Sequence, residues 1–299
     1  MFSKKEGARK EQRILSLWFP HLAADRILRQ RLGRSWRSRP SDHLPPPHPP
    51  LVISHRDMNA QRIAALDERA EALRLKRGMG IADARAMHPA IDIVEADPEA
   101  DRRLLEGLAD WCDRYTPLVA IDGADGLFLD VTGCTHLFGP PDEIAHAIRR
   151  RVKAELGLPI SIGVARTKHL AKIASQVAKP DGLVVVEPGT ELAFLHDLPV
   201  TLMWGVGPAT RARLADIGVE TIGQLARTHG GALKRLLGPA AGEKLAALAW
   251  NRDPRRLETH RRAHSAGAQS ALGRKPALPR VFLPTLLHLA DRVASRLRA

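Results

Sequence analysis

Short apolar runs alternate with segments of helical spacing between residues 14 and 186, and this alternation constrains the fold more than any other feature. The runs predicted to be strands are 14–19, 51–54, 118–121, 126–131, 160–164 and 182–186. The segments predicted to be helices are 22–32, 60–75, 81–87, 97–115, 143–156 and 168–178. Strands that alternate with helices predict a sheet covered by helices, so we expect an α+β chain with an α/β-like layer.

The sequence changes character after Pro199. Short helical stretches there are interrupted by glycines: Gly205, Gly207, Gly218, Gly230, Gly231 and Gly238. Residues 257–264 are basic with little apolar content, which predicts a linker. Beyond them, residues 265–272 are a strand candidate and residues 286–297 a helix. We therefore predict a separate helical unit, a linker and a short last segment.

Positive charge is concentrated in the last third of the chain. Residues 201–299 hold 17 Lys or Arg and 6 Asp or Glu, so they carry +11 of the net charge of +13. A basic region of this kind predicts contact with a polyanion, and a merely solvated basic surface is the alternative.

The remaining composition indicates a reduced protein inside the cell. Cys112 and Cys134 are the two cysteines, which give neither a disulfide framework nor a zinc pattern. The first residues are basic but lack the apolar run of a signal peptide. No window approaches the roughly 20 apolar residues of a membrane span. We expect a cytoplasmic protein without a membrane partner.

A glycine turn precedes a helix at Gly205-Val206-Gly207. Two glycines let the backbone turn with its N–H groups exposed, and a helix that begins at Pro208 presents the positive end of its dipole there. With Arg211 and Arg213 nearby, this turn predicts that a DNA phosphate is bound without reading of the bases. An ordinary tight turn is the alternative.

Lys172 and Lys179 are seven residues apart, which is two turns of a helix, so both are predicted to project from one side of it. Pro180-Asp181-Gly182 then ends the helix. From the residues alone, a solvated helix face and a pair of anion ligands are equally good interpretations.

Residues 161–182 and 198–207 resemble the Y-family (UmuC- and DinB-like) DNA polymerases, and the resemblance extends over most of the chain. It implies a right-hand architecture with a helix-hairpin-helix thumb that contains the turn at Gly205. It also implies that Lys179 reaches the phosphates of a nucleotide, with Lys172 beside it. The implied domains are a palm (13–24 and 94–187), fingers (25–93), a thumb (188–256), a basic linker (257–264) and a truncated, partial little finger (265–299).

Nucleotidyl transfer needs two metal ions held by acidic side chains, and the resemblance places those acids at three positions. Residues 128–132 set the register. Asp125 falls on the Asp of an Asp-Glu pair and Gly126 on its Glu, while Trp18 or Pro20 stands where an Asp follows the first strand. Asp125 is therefore a vestigial metal-ligand candidate, and we expect no catalytic residue of full function.

Two other acids and one finger segment bear on that expectation. Asp122 and Asp130 both have the opposite strand parity to Asp125, so Asp130 is expected to face another side. Asp122 is the alternative catalytic carboxylate, because the turn expected at Gly123 leaves its direction open. A Ser-Tyr-x-x-Arg element of the family's fingers corresponds here to Asp67-Glu-Arg-Ala-Glu71, whose acidic side chains would repel phosphates.

These departures are similar to the ImuB-type branch of the family, whose members lack the catalytic acids and act beside a replicative-type polymerase. The resemblance implies a non-catalytic DNA-binding protein of SOS mutagenesis and translesion repair, with no required cofactor. DNA, a replicative-type polymerase and a sliding clamp are the implied partners. The alternative is an active, error-prone translesion polymerase that uses Mg²⁺ at a rearranged site with Asp122 and Asp125. A third interpretation is the inactive product of a degraded gene.

Overall fold

The computed structural model describes residues 11–33, 48–57, 59–259, 267–273, 276 and 278–298 of the 299. The chain divides into two compact units, Met1–Thr259 and His260–Ala299. None of the helices in the described ranges is long and apolar enough to cross a membrane.

The elements are numbered in chain order. The strands are β1 (Ile14–Trp18), β2 (Leu51–Asp57), β3 (Ala60–Leu66), β4 (Asp92–Glu95), β5 (Val119–Asp122), β6 (Gly126–Asp130), β7 (Ser161–Ala165) and β8 (Leu183–Val185). The helices are α1 (Leu22–Leu32), α2 (Glu68–Ala72), α3 (Ile81–Met87), α4 (Pro98–Cys112), α5 (Thr135–Phe138), α6 (Pro141–Arg151), α7 (Lys168–Val177), α8 (Glu191–His196), α9 (Pro208–Ala215), α10 (Ile222–Arg227), α11 (Gly230–Leu237), α12 (Pro239–Ala249) and α13 (Pro279–Arg298). A π-helical turn, Val152–Leu156, extends α6.

Strand β1 is the centre of a five-stranded sheet of order β5-β6-β1-β7-β8. It is antiparallel to both β6 and β7, and β8 is parallel to β7. Because side chains alternate along a strand, Leu15 and Leu17 enter a core that they share with α4 and α6, whereas Ile14 enters a second core with α7. Helices thus cover both faces of this sheet, as the sequence predicts.

Helix α7 lies directly on β7 at Gly163. A Cβ atom at that position would stand 2.1 Å from the carbonyl oxygen of Ala171 and 2.2 Å from the backbone nitrogen of Ser175. No side chain fits in that space, so glycine is what allows the helix to approach the sheet so closely. This contact fixes the position of the helix that carries Lys172 and leads to Lys179.

Residues 60–75 begin with a strand, so the helix predicted over that whole range is wrong. β3 pairs antiparallel with β2, and β2 pairs in parallel with β4, in a second sheet of order β3-β2-β4. The alanine-rich spacing fits a helix, but pairing with β2 and burial of Ile63 and Leu66 favour the strand. Helix α2 starts only after Asp67, whose carboxylate accepts a hydrogen bond of 2.8 Å from the backbone nitrogen of Ala70.

The helices after Pro199 share one hydrophobic cluster with α7 of the sheet. Its fully buried members from the two sides include Leu170 and Ile173 of α7 together with Leu214, Leu225 and Leu233 of the helical part. The predicted helical unit is therefore packed onto the first sheet, because each of its short helices buries one apolar face.

The second unit, His260–Ala299, contains the long helix α13, which includes Pro284 and covers the predicted helix 286–297. The strand predicted at 265–272 is wrong in its described part, because residues 267–272 form no strand. A strand is held by hydrogen bonds to a neighbouring strand, and the described residues of this unit provide none.

Candidate functional site

The ends of β1 and β6 meet at the place where the sequence predicts the metal ligands. Trp18 and Gly126 are direct partners in the antiparallel register. The backbone nitrogen of Phe19 donates to the carbonyl oxygen of Asp125 at 2.8 Å and closes this end. A Cβ atom at Gly126 would lie 3.0 Å from the carbonyl oxygen of Asp122 and 3.2 Å from that of Leu17, so this geometry leaves little room for a side chain.

Lys179 contacts the face of Trp18. Its Nζ lies 3.4 Å from the centroid of the indole ring, within the range of a cation–π interaction. Partial burial lowers the pKa of Lys179, and the charge of Asp125 acts in the opposite direction. An ammonium group and an aromatic ring therefore stand where a carboxylate is expected.

The two candidate carboxylates each pair with a cation. Asp125 Oδ2 lies 3.5 Å from Nη1 of Arg77, whose Nη2 also donates to the carbonyl oxygen of Pro20 at 3.1 Å. Asp122 forms an ion pair with Lys172. Both acids are thus neutralised by neighbouring side chains.

Asp130 lies at the far end of the same strands. It pairs in register with Ile14, whereas Asp125 is joined to Phe19. Its carboxylate accepts hydrogen bonds from the backbone nitrogen and hydroxyl of Thr132, at 3.0 and 2.5 Å. Asp130 therefore organises the end of β6, away from Asp125.

Lys172 and Lys179 face different spaces. Lys179 lines an open cleft of about 600 Å³. Lys172 instead lines a cavity of about 200 Å³ below Trp204. The residues lining the larger cleft are Trp18, Pro20, His21, Leu66, Glu71, Arg74, Leu75, Lys76, Arg77 and Lys179.

Only one of the two terminal acids of the finger segment reaches this cleft. Glu71 lines it, with its carboxylate 3.5 Å from Nε2 of the buried His21. Asp67 is buried and caps α2, so it does not face the space. The expectation that the acids of this segment oppose phosphates therefore concerns Glu71 and not Asp67.

The side chains at this strand end do not fit the two Mg²⁺ ions that the family resemblance implies. Mg²⁺ requires near-octahedral oxygen ligation, and a two-metal site holds its ions about 3.5–4 Å apart. An indole and a glycine stand at two of the positions where the resemblance places ligands, while Lys179 and Arg77 bring positive charge. Within the described ranges, no group of three or more His, Cys, Asp or Glu side chains is arranged to hold a metal ion.

The glycine turn at Gly205-Val206-Gly207 leads directly into α9. Gly205 has a φ of +98°, which disfavours any other residue, and the backbone nitrogen of Val206 donates to Met203 at 3.1 Å. Gly207 is the N-cap of α9, with open space around its Cα. Arg211 and Arg213 lie on α9 with exposed side chains.

Trp204, Arg255 and Asp253, which the sequence analysis does not predict as functional residues, connect the glycine turn to α7. Trp204 stacks with Arg255, whose Cζ lies 4.1 Å from the ring centroid, and Lys172 Nζ lies 5.2 Å from it. Asp253 accepts hydrogen bonds from Arg255 and, at 3.0 Å, from the first-turn nitrogen of His169. Burial alone would raise the pKa of Asp253, but these hydrogen bonds and the Arg255 charge outweigh it and lower the pKa.

The segment that contains Asn251 and Asp253 also holds the first turn of α7. The Thr167 hydroxyl donates to Asn251 Oδ1 at 2.6 Å and also accepts from Leu170 as the N-cap. Trp204 lies in residues 198–207, which carry part of the family resemblance, but its partners Lys172 and Arg255 come from distant parts of the chain. The spacing of residues therefore contains no signal for this junction.

A third space, a cavity of about 650 Å³, shares Arg77 with the cleft of about 600 Å³ that Lys179 lines. Its walls come from both sheets and from α4, and they are mostly apolar. The apolar lining includes Leu22, Ala23, Ile53, Ala64, Ala65, Ala96, Leu105 and Ile121, and polar groups such as Asp101, Arg102 and Asp125 also line it.

Known proteins resemble this chain in sequence. Residues 40–176 match the impB/mucB/samB family. A Mesorhizobium japonicum protein named DNA polymerase IV 2 is 68% identical over 237 residues, which cover 79% of this chain and 57% of that protein. A DNA polymerase IV of Desulfatibacillum aliphaticivorans is 35% identical over 229 residues, covering 77% and 58%. The chain thus spans less than two thirds of these relatives.

Solved structures confirm the predicted fold class. A Y-family DNA polymerase chimera of Dbh and Dpo4 superposes with a TM-score of 0.77 at 21% identity, over 95% of this chain and 80% of that one. DinB from Sulfolobus solfataricus gives a TM-score of 0.71 at 20% identity, with the same coverage. At these identities the likeness shows the fold: sheets of the palm type covered by helices.

Proposed function

We propose that this chain, whose residues 40–176 match the impB/mucB/samB family, is a member of the Y family of DNA polymerases and acts as a polymerase-shaped DNA-binding protein of translesion repair that does not polymerise DNA itself. Its task would be to position another polymerase on damaged or primed DNA, as in the ImuB-type branch. A replicative-type polymerase and a sliding clamp are the partners proposed with it.

The paired ends of β1 and β6 are the main support for the absence of polymerisation. Trp18 and Gly126 face each other at the paired ends of β1 and β6, and the ammonium of Lys179 lies over the indole. A two-metal mechanism needs anionic ligands at this place. Positive side chains raise the energy of a divalent cation there instead.

The right-hand domains of the family are part of the proposal. We assign residues 13–24 and 94–187, which contain the first sheet, to the palm, and residues 25–93, which contain β2, β3 and the start of β4, to the fingers. Residues 188–256 would be the thumb, whose turn at Gly205 and helix α9 bind a phosphate. Residues 257–264 would link it to residues 265–299, the last part of the chain.

An active translesion polymerase is the second candidate function, favoured by the names of the relatives. It would need Asp122 and Asp125 to leave Lys172 and Arg77 and to share a pair of Mg²⁺ ions. The proximity of the two acids across the turn between β5 and β6 is what supports this alternative.

Primer extension separates the two. The full chain is incubated with a primed template, nucleotides and Mg²⁺ or Mn²⁺, beside the matched Asp125→Ala variant. We expect no extension above that of the variant, while both bind the primed template. Extension by the native chain that disappears in Asp125→Ala would establish the polymerase instead.

A further inference from the structure

We propose that Trp204, Arg255 and Asp253 form a brace that holds the glycine turn, residues 205–207, in the orientation that binds DNA, and that Arg255 is a positioning residue and not a phosphate ligand. The inference rests on the proposed function, because it concerns the turn that would bind DNA. It goes beyond that function by separating the cations of the basic last third into those that contact phosphates and one that orders the turn.

The guanidinium of Arg255 is committed to neighbours within the protein. Its Nε donates to Oδ1 of Asp253 at 2.6 Å and its Nη2 to Oδ2 at 2.8 Å, a bidentate pairing that adds direction to the attraction of the charges. The same group stacks on Trp204, with Cζ 4.1 Å from the ring centroid. The Asp253 side chain is 1% exposed, so it relies on Arg255 for its counter-charge. Arg255 is therefore held toward the protein, whereas Arg211 is exposed on α9.

The brace connects the turn to α7. Besides Arg255, Asp253 accepts a hydrogen bond of 3.0 Å from the backbone nitrogen of His169, in the first turn of that helix. Lys172, three residues further along α7, places its Nζ 5.2 Å from the centroid of the Trp204 ring, within the range of a cation–π interaction. The indole next to the turn is thus held by cations from two separate parts of the chain.

Packing alone defines the direction of the turn only weakly, because a cavity of about 200 Å³ lies between residues 201–205 and α7. Nε2 of the buried His169, which lines this cavity, makes no hydrogen bond within the described residues. Met203 is buried in the hydrophobic cluster of α7, but the residues next to it are open to the cavity and to solvent. A segment with few packing contacts has low local stability, so the stack on Trp204 contributes much of what orients the turn.

The brace should act on the population of molecules whose turn is ready to bind DNA. When only a fraction of the molecules has a competent site, the apparent affinity is reduced by that fraction. The bound state still makes the same number of phosphate contacts, so the slope of log K against log salt stays the same. Loss of a true phosphate ligand lowers both the affinity and the slope. The two roles can therefore be told apart.

Fluorescence anisotropy of a primed template, measured with the full chain in EDTA at several salt concentrations, tests the proposal. Arg255→Lys keeps the positive charge but loses the bidentate pair and the planar stack. We expect its affinity to be about 5- to 30-fold weaker, with an unchanged salt slope. Arg256→Lys, the same change at the exposed neighbouring residue, is the matched control and should alter neither quantity.

Substitutions of Trp204 remove the brace without changing any charge. Trp204→Phe retains a ring for the guanidinium, so it should lose less affinity than Trp204→Leu. Because the two residues act as one unit, Arg255→Lys should cause little further loss in the Trp204→Leu background. Hydrogen exchange follows the turn without DNA. The backbone N–H of Val206, bonded to Met203 at 3.1 Å, should exchange faster in Arg255→Lys and in Trp204→Leu than in the native chain.

Native affinity in Arg255→Lys would show that the charge alone suffices, and this would overturn the positioning role. Native affinity in Trp204→Leu would overturn the brace, and a reduced salt slope in either variant would show that phosphate contacts are lost instead. If the native chain does not bind the primed template, the proposed function fails together with this inference. Primer extension by the native chain would overturn the proposed function alone.

Discussion

At Trp18 a single side chain changes what the end of β1 can bind. The indole attracts the ammonium of Lys179, an interaction worth about 0.5–2 kcal/mol. The family resemblance leads to the prediction that Gly126 and either Trp18 or Pro20 stand at metal-ligand positions, and the structure pairs Trp18 with Gly126. The sequence could not predict the contact of Trp18 with Lys179, since the two residues are brought together only by the packing of α7 on the sheet.

His169 gives the protein a pH-dependent stability. Burial lowers its pKa to about 4 from the ordinary 6.5. Between these values the unfolded chain binds more protons than the folded one, so stability falls as the pH falls through this window. We expect urea unfolding to show a loss of about 2–3 kcal/mol from this group between pH 7 and pH 4.5.

His169→Gln is the matched variant for this measurement, since it keeps the backbone nitrogen that donates to Asp253. The free energy of unfolding of this variant should fall less steeply with decreasing pH, and the difference in slope should correspond to nearly one bound proton. An unchanged slope would show that His169 does not titrate as its burial requires.

Gly205 and Gly207 form a matched pair for testing the hairpin. Gly205 has a φ of +98°, so Gly205→Ala should cost about 1–2 kcal/mol of stability through backbone strain. Gly207 has a φ of −85° and open space around it, so Gly207→Ala should cost less, about 0.5–1 kcal/mol, since alanine is a poorer N-cap than glycine. Chemical denaturation measures both, and equal effects would contradict the described turn.

Helices and strands whose apolar residues recur with a clear period could be predicted from the sequence. Strands that form because they pair with a neighbouring strand could not. Helix α4 and the hairpin of β5 and β6 occur close to their predicted bounds because their apolar faces are clear in sequence. The sequence of β3 predicts a helix because alanine suits a helix better than a strand. Strand β4, which was not predicted, is short and only partly buried, so it has little pattern to detect.

The close contact between α7 and β7 at Gly163 leaves no space for a larger residue, so a substitution there should affect stability strongly. Gly163→Ala would place a methyl group about 2 Å from the backbone of α7, so the helix must move and stability should fall by about 1–3 kcal/mol or more.

Gly107→Ala is the control for this substitution. Gly107 lies in α4 and is exposed, and a Cβ atom placed on it would have no neighbour within 4 Å. Alanine there should therefore stabilise the protein by about 0.5–1 kcal/mol. Thermal unfolding of the two variants compares them directly. A tolerated Gly163→Ala would contradict the close approach of helix and strand.

On the scale of the whole molecule, the basic last third should dominate DNA binding. Phosphate contacts release counterions, so affinity should fall steeply with salt and should depend little on base sequence. We expect Arg211→Ala to weaken binding to all sequences alike and to reduce the slope of log K against log salt by about one. Fluorescence anisotropy at several salt concentrations measures this.

Arg102→Ala is the matched control for DNA binding, because Arg102 on α4 already pairs with Glu99 and Glu106. It should leave both the affinity and the salt slope unchanged. A loss with Arg211→Ala that appears for some base sequences and not for others would contradict phosphate recognition by the hairpin.

Electron paramagnetic resonance of Mn²⁺, added to the full chain with primed template and nucleotide, shows whether two metal ions bind side by side at the ends of β1 and β6. A two-metal site holds its ions about 3.5–4 Å apart and couples their spins. Because Trp18 and Gly126 pair where the family resemblance places two acids, and the ammonium of Lys179 lies over the indole, we expect signals of isolated ions only. A spin-coupled Mn²⁺ pair that is lost in Asp125→Ala would contradict this account.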